Sequence, residues 1–312
     1  YVIELDDEVV RTRDNGLMIS LEVTGIDGIT SGSSAITALR AGFAHLLDTL
    51  DERFSFYLHR MMRPAQAQLK PIHGQSFAAD IDRAWGGELQ RRSLQESVLI
   101  LTVVRRQIAP LAVPLFGKAA AKVWGEDTDR RLEELREVVS ILETGLGVKS
   151  HRLKISDGSL IGFFASLLTG ELHSKMRSPF GIIAEDASDA AIQFGKGQFT
   201  VEEGADTPRV GAVLYVKSYA TSTWPGMLDA LGASRDTIIT HSYTPIERGS
   251  ITERVKRRVA QMRASEDIAA TIEAQLFEAA DKSESGELGF GIHQMTITVF
   301  AGDQASLDTE VA

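Results

Sequence analysis

Val98-Leu99-Ile100-Leu101-Thr102-Val103-Val104 is a run of β-branched and leucine side chains without a single charge, and it reads as a fully apolar strand. Neither this run nor Leu160 to Leu168 approaches the roughly 20 residues that a membrane-spanning helix requires. Working backwards, Leu17, Ile19, Leu21 and Val23 alternate with more polar neighbours after the turn-like Asp14-Asn15-Gly16, which predicts a strand. Gly25 to Gly32 is a loop. From Ser33, an N-cap candidate, Ile36, Leu39, Phe43, Leu46, Leu47 and Leu50 recur at three- and four-residue steps and share one helical face. Phe54, Phe56 and Leu58 alternate again, a loop holds Pro64 and Pro71, and a helix follows near Phe77 to Arg91. The first lobe, residues 1–108, therefore runs strand, helix, strand, helix, strand.

Working forwards, Pro110 and Pro114 open a middle region, 109–209, and permit only a bend or short helix there. Leu132, Leu135, Val139, Leu142 and Leu146 then form an apolar helical stripe with charged residues around it. Leu160, Phe163, Phe164, Leu167 and Leu168 predict a more apolar helix that Gly170 ends. Residues 171–209 read as loop-rich. The last lobe, 210–312, begins with a strand near Val210 to Tyr219, then a short helix at Thr223 to Leu228 with Pro225 in its first turn. A strand at Thr237 to Tyr243 precedes one long amphipathic helix from Ser250 to Lys282, whose apolar stripe includes Ile251, Val255, Val259, Ile272 and Leu276. Met295, Ile297 and Val299 alternate in a final strand. The fold class is α+β (mixed α/β): two β-α-β-α-β lobes joined by a helical middle region, with ferredoxin-like topology the expectation for each lobe.

The 312 residues, 43% hydrophobic and 24% charged, are ordinary globular composition and can bury a substantial core. With no cysteine, disulfides, thiolate metal sites and thiol catalysis are excluded, which suits a reducing compartment and makes cytoplasm the expected location. The opening residues carry no basic head or apolar signal core, and the missing initiator Met points to a trimmed or processed chain. A net charge of −10 argues against a general nucleic-acid binder, because phosphate recognition needs a concentrated positive field.

Catalytic, cofactor and metal residues are not indicated by any motif. A phosphate-binding loop needs two framing glycines before Lys and Ser or Thr. Lys149-Ser150 has Val148 and Glu143 where those glycines belong, and Gly195-Lys196-Gly197 lacks the hydroxyl after Lys; both read as turns. The seven histidines are scattered without zincin spacing, and His59 and His241, near strand ends, read as structural. Ser222 and Ser242 lack a nucleophile elbow. Arg254, Lys256, Arg257 and Arg258 read as the solvated flank of the long helix. Arg60, Arg63, Arg105 and Arg106 end two strands of one lobe and form a candidate partner-contact patch for a protein, an acidic lipid surface or DNA.

In order along the chain, these segments resemble the N-terminal region of the CagE/TrbE/VirB family of type IV secretion ATPases. The resemblance begins at Asp6-Asp7-Glu8-Val9-Val10-Arg11-Thr12 and returns at Gly25-Ile26-Asp27, at Phe56 to Arg63 and at Ser97 to Arg105. Its most distinctive stretch is Tyr219 to Leu231, containing Trp224-Pro225-Gly226-Met227-Leu228. It continues through Ile239 to Tyr243, Gln261-Met262 and Phe290 to Thr296. The resemblance implies a parent that hydrolyses ATP with Mg, at a RecA-like motor domain after this region, to power secretion, pilus assembly or conjugative transfer of protein or DNA. The sequence stops at Ala312 before such a motor, so no cofactor is expected in this chain. Its implied partners are its own motor domain, inner-membrane secretion components and, in the parent, further copies of itself; its implied place is peripheral, at the cytoplasmic face of the inner membrane. Nucleic acid is not an expected partner for this piece. The alternatives are a DNA-contacting module of the conjugation machinery and a self-contained enzyme with a pocket between the lobes.

Overall fold

The apolar run lies at the heart of strand β5 (Gln95–Arg105), which pairs antiparallel with β3 (Leu17–Val23) on one side and β4 (Phe54–Pro64) on the other. Both faces of β5 are covered. Leu101 and Val103 pack with Leu135, Val139 and Leu142 of α3 (Lys118–Gly145), and Ile100 and Val104 share a core with Leu160, Ile161 and Phe163 of α4 (Ser159–Thr169). That is why the strand has no polar alternation. Each such aliphatic side chain, fully buried, contributes about 1.5–3 kcal/mol over its exposed state.

This computed structural model describes residues 3–26, 30–64, 76–91, 94–108, 118–145, 147, 149–171, 173, 175–177, 183–202, 208–220, 222–224, 226–227, 236–264 and 270–312. The remaining elements are β1 (Ile3–Glu4), β2 (Val10–Arg11), α1 (Ser33–Asp48), α2 (Phe77–Arg91), β6 (Ser150–Arg152), α5 (Ile183–Asp186), β7 (Ala191–Phe194), β8 (Phe199–Glu202), β9 (Arg209–Tyr215), β10 (Thr237–Pro245), α6 (Arg248–Ala264), α7 (Ala270–Glu284), β11 (Gly291–Ala301) and α8 (Gln304–Val311). The strands form one sheet in the order β1-β2-β3-β5-β4-β10-β11-β9-β8-β7, with β6 paired to β3.

The two ends of the chain thus meet within a single sheet. Strand β10 pairs antiparallel with β4, placing Tyr243 opposite Phe56 and Ile238 opposite Met61. In the first half the third strand, β5, sits between the first and second; in the second half β11 likewise sits between β9 and β10. Antiparallel β4 and β10 at the centre make this the order that a two-fold axis normal to the sheet would produce. The mixed α+β class holds, and β3-α1-β4 with β5 inserted is a split β-α-β unit. The fuller ferredoxin-like detail is not reached.

Three expectations change. The segment from Ser250 to Lys282 is not one helix but the pair α6 and α7, folded back so that Arg263 meets Glu273 and Thr252 meets Glu284. Ile251, Val255 and Val259 of α6 are buried in one cluster with Ala280, so the stripe closes on itself. The loop-rich stretch before residue 209 contains the β7–β8 hairpin, whose turn is Gly195-Lys196-Gly197: Gly195 N–H donates to Gln198 O, and Gly197 has φ 83°. At α1 the N-cap is Gly32, not Ser33. Gly170 does end α4, with φ 74° and its N–H donating to Ser166 O. Pro71, Pro110, Pro114, Leu146 and Pro225 lie outside the described residues; nearby, Met227 N–H donates to Trp224 O in a turn.

Candidate functional site

The four arginines expected to form one patch are separated by strand direction. Because β4 and β5 run antiparallel, Arg60 lies opposite Leu99 whereas Arg105 lies opposite Phe54, six residues further back along β4. At about 3.4 Å per residue this is roughly 20 Å. Arg60 donates from Nε to Ser97 Oγ at 3.2 Å. The side chain of Arg63 lies outside the described residues. Arg105 is buried, with Nε 2.6 Å from Glu134 Oε2 and its guanidinium stacked 5.4 Å from the Phe54 ring centroid. Arg106 alone of the strand-end pair is exposed, beside Asp14.

The histidines divide similarly. His59 is buried against Phe163, with ring centroids 5.3 Å apart, and its Nδ1 lies 2.9 Å from Thr240 Oγ1. Burial pushes its pKa down to about 4. That is the structural role expected from sequence. Pairing of β10 with β11 brings together His241 and His293, Nδ1 to Nε2 at 3.2 Å, a contact that 52 intervening positions concealed. Burial, and for His241 also the neighbouring His293, lowers both pKa values. Among the described residues no three His, Asp or Glu side chains converge as a metal site would require.

A polar cleft of about 310 Å³ lies under α4, lined in part by Glu22, His151, Asp157, Ser159, His173 and Lys175. Its groups bind one another. Asp157 accepts from both Ser159 N–H and Ser159 Oγ, at 2.9 and 2.6 Å, and stands 3.8 Å from His151 Nε2. Burial opposes ionisation of Asp157, but these Ser159 bonds and the charges of Lys175 and His151 keep its pKa lowered. The carboxylate therefore sits between serine and histidine. A hydrolytic triad needs the imidazole in the middle, to take the hydroxyl proton. His173 is engaged as well, its N–H donating to Ser166 Oγ and its Nε2 3.1 Å from Thr169 Oγ1.

A second polar network joins the N-terminal turn to the helical layer. Arg152 spans Glu143, at 2.7 Å, and Glu8, at 3.0 Å, and Lys154 also reaches Glu8. Burial opposes ionisation of Glu8, but these partners hold its carboxyl below the usual range. Between the halves β4 and β10 form hydrogen-bonded sheet, and a small depression lined by Met61, Met62, Ser166, Gly170, Thr237 and Ile238 lies beside that seam. Among the described residues no helix is long and apolar enough to cross a membrane.

Fold and polar groups together define a sheet-centred α+β module whose described charged clusters are largely bonded internally. Residues 148–312 match the model of the CagE, TrbE, VirB family, component of type IV transporter system, and the chain belongs to that family. Residues 8–111 match the N-terminal domain of the type IV secretion system ATPase VirB4/TrbE. The chain is 26% identical over 325 residues to protein virB4 of Rhizobium radiobacter, an alignment covering 98% of the chain and 40% of that protein. It is 22% identical over 320 residues to the type IV secretion system protein virB4 of Bartonella henselae, with 98% and 41% covered. The chain thus spans about two fifths of the length of these curated relatives.

Proposed function

We propose that this chain is a noncatalytic docking and assembly region of a type IV secretion ATPase, whose full-length form binds ATP and Mg elsewhere and uses hydrolysis to power secretion, pilus assembly or conjugative transfer. It holds the motor at the cytoplasmic face of the inner membrane, against inner-membrane secretion components and neighbouring subunits. The observation that carries this reading is the β4–β10 pairing, which joins the stretches matched by two family models into one continuous sheet. A broad rigid sheet suits a platform for protein contacts better than a reaction centre. DNA contact is disfavoured: Arg254 faces Glu52, Lys256 pairs with Glu253, and the net charge is −10.

The test is a deletion. A full-length parent lacking residues 1–312 should still bind nucleotide yet fail to co-purify with the inner-membrane complex, and the isolated chain should compete for that attachment. Normal co-purification of the deletion, without competition by the chain, would sink the assignment.

A further inference from the structure

The antiparallel ladder of β10 and β11 carries two imidazoles on one face. His241 lies opposite Met295 and His293 lies opposite Tyr243, so the two histidines are diagonal cross-strand neighbours. Their ring centroids are 5.4 Å apart, and His241 Nδ1 stands 3.2 Å from His293 Nε2. Tyr219 braces the outer ring. Its own ring is 5.4 Å from that of His293, and its hydroxyl donates to His293 O at 3.4 Å. Both imidazoles stand on hydrogen-bonded strands rather than on loops; His293 is exposed and His241 half-buried. The pair is therefore held by the sheet and reachable from solvent. Among the described residues neither ring pairs with a carboxylate that would account for the arrangement.

Two nitrogens so placed share either one proton or one metal ion. In the proton form one ring donates to the other. When the protons sit on the far nitrogens instead, His241 Nε2 and His293 Nδ1, two lone pairs face a common point and no proton has to leave the protein. An ion held tetrahedrally by two imidazoles, each at about 2.0–2.1 Å, sets the two nitrogens roughly 3.3 Å apart. The observed 3.2 Å matches that bite, so a small tilt of each ring converts one form into the other. Burial, and for His241 the neighbouring ring, favours the neutral imidazoles that metals bind. We infer that His241 and His293 chelate one divalent transition-metal ion of the imidazole-binding class, zinc foremost, with solvent in its remaining positions. A closed centre needs a third converging side chain, which the described residues do not supply, so the bound ion exchanges with solution and clamps β10 to β11. The site is independent of how the chain docks.

The untagged chain suits the test, because with no cysteine no thiolate competes for the ion. Titration of the wild type with Zn²⁺ should reveal one saturable site, and the thermal midpoint should rise with Zn²⁺ and fall back with a chelator. His241→Ala and His293→Ala should each weaken that site at least about tenfold, and the double substitution should weaken it little further, because a chelate loses its advantage with either arm. His151→Ala, on β6, should leave it unchanged. One equivalent of Cu²⁺ provides a check that needs no variant to fold: its electron paramagnetic resonance should show coupling to two imidazole nitrogens. Coupling to a single imidazole would overturn the site. So would undiminished Zn²⁺ affinity after either single substitution, or a wild-type chain with no saturable binding up to about 100 µM Zn²⁺.

Discussion

His59 Nδ1 lies 2.9 Å from Thr240 Oγ1, a polar contact across the β4–β10 seam between residues 181 apart in sequence. Burial keeps the imidazole neutral, with a pKa of about 4 against an ordinary value of 6.5. Between those values the unfolded chain binds the proton more readily, so stability rises with pH through this window. The contribution is complete above pH 6.5 and is lost as pH falls toward 4, up to about 3 kcal/mol. Thermal midpoints measured from pH 7.5 to 4.5 should fall more steeply for the wild type than for His59→Gln. Parallel curves would show that another group governs acid sensitivity.

Arg105 and Arg106 are adjacent in sequence and opposite in consequence. Removing the Arg105 side chain strips a nearly buried guanidinium from Glu134 and Phe54, and Arg105→Ala should destabilise the chain by about 2–4 kcal/mol, somewhat below a fully buried pair because Glu134 is partly exposed. Arg106→Ala should stay within about 0.5 kcal/mol. Urea midpoints distinguish them, and equal shifts would contradict the burial difference.

The hairpin of α6 and α7 gives a comparable pair. Val259 is 3% exposed, and Val259→Asp buries an unpaired charge while removing an apolar contact, a loss of about 3 kcal/mol. Arg257, on the exposed flank, should tolerate Ala with little change. Chemical denaturation is the measurement; similar midpoints for both variants would mean that the stripe is not a core.

The isolated chain should release no phosphate from ATP above the buffer rate, since neither Lys149 nor Lys196 stands in a glycine-framed loop before a hydroxyl. Lys196 is instead in the β7–β8 turn. Turnover that survives further purification and disappears with Lys149→Ala or Lys196→Ala would reveal a nucleotide site there.

Local pattern made much of this fold readable. The apolar run of β5, the alternation of β3 and β4, and Gly170 closing α4 each express one dominant local force: burial on two faces, burial on one, or a left-handed cap. Where the reading failed, the local signal was weak. No Gly or Pro occurs between Ile251 and Lys282, and the weaker cap-type run Ser265-Glu266-Asp267 was the one sign of the break between α6 and α7. The arginines misled for another reason. Strand ends and strand direction are not both visible in sequence: β4 runs on to Pro64, which leaves Arg60 in mid-strand, and its antiparallel pairing with β5 sets Arg105 opposite Phe54, six residues away. The exposure of Phe77, Ile81 and Trp85 was equally hidden, because an apolar stripe looks the same whether or not it finds a cover.

The central seam also has a temporal meaning. During synthesis β3, α1, β4 and β5 can pair among themselves as soon as residue 105 is available, but β10 follows more than a hundred residues later. Until then β4 is an open edge, with Phe56 and Met61 lacking the neighbours Tyr243 and Ile238 that flank them in the finished sheet. Pairing at such sequence separation is slow, because a long loop must close before any contact rewards it. The nascent chain therefore passes through a stage in which the middle of its future sheet is a template for pairing with the wrong strand, and aggregation during expression should fall when β10 is supplied early, for instance by circular permutation.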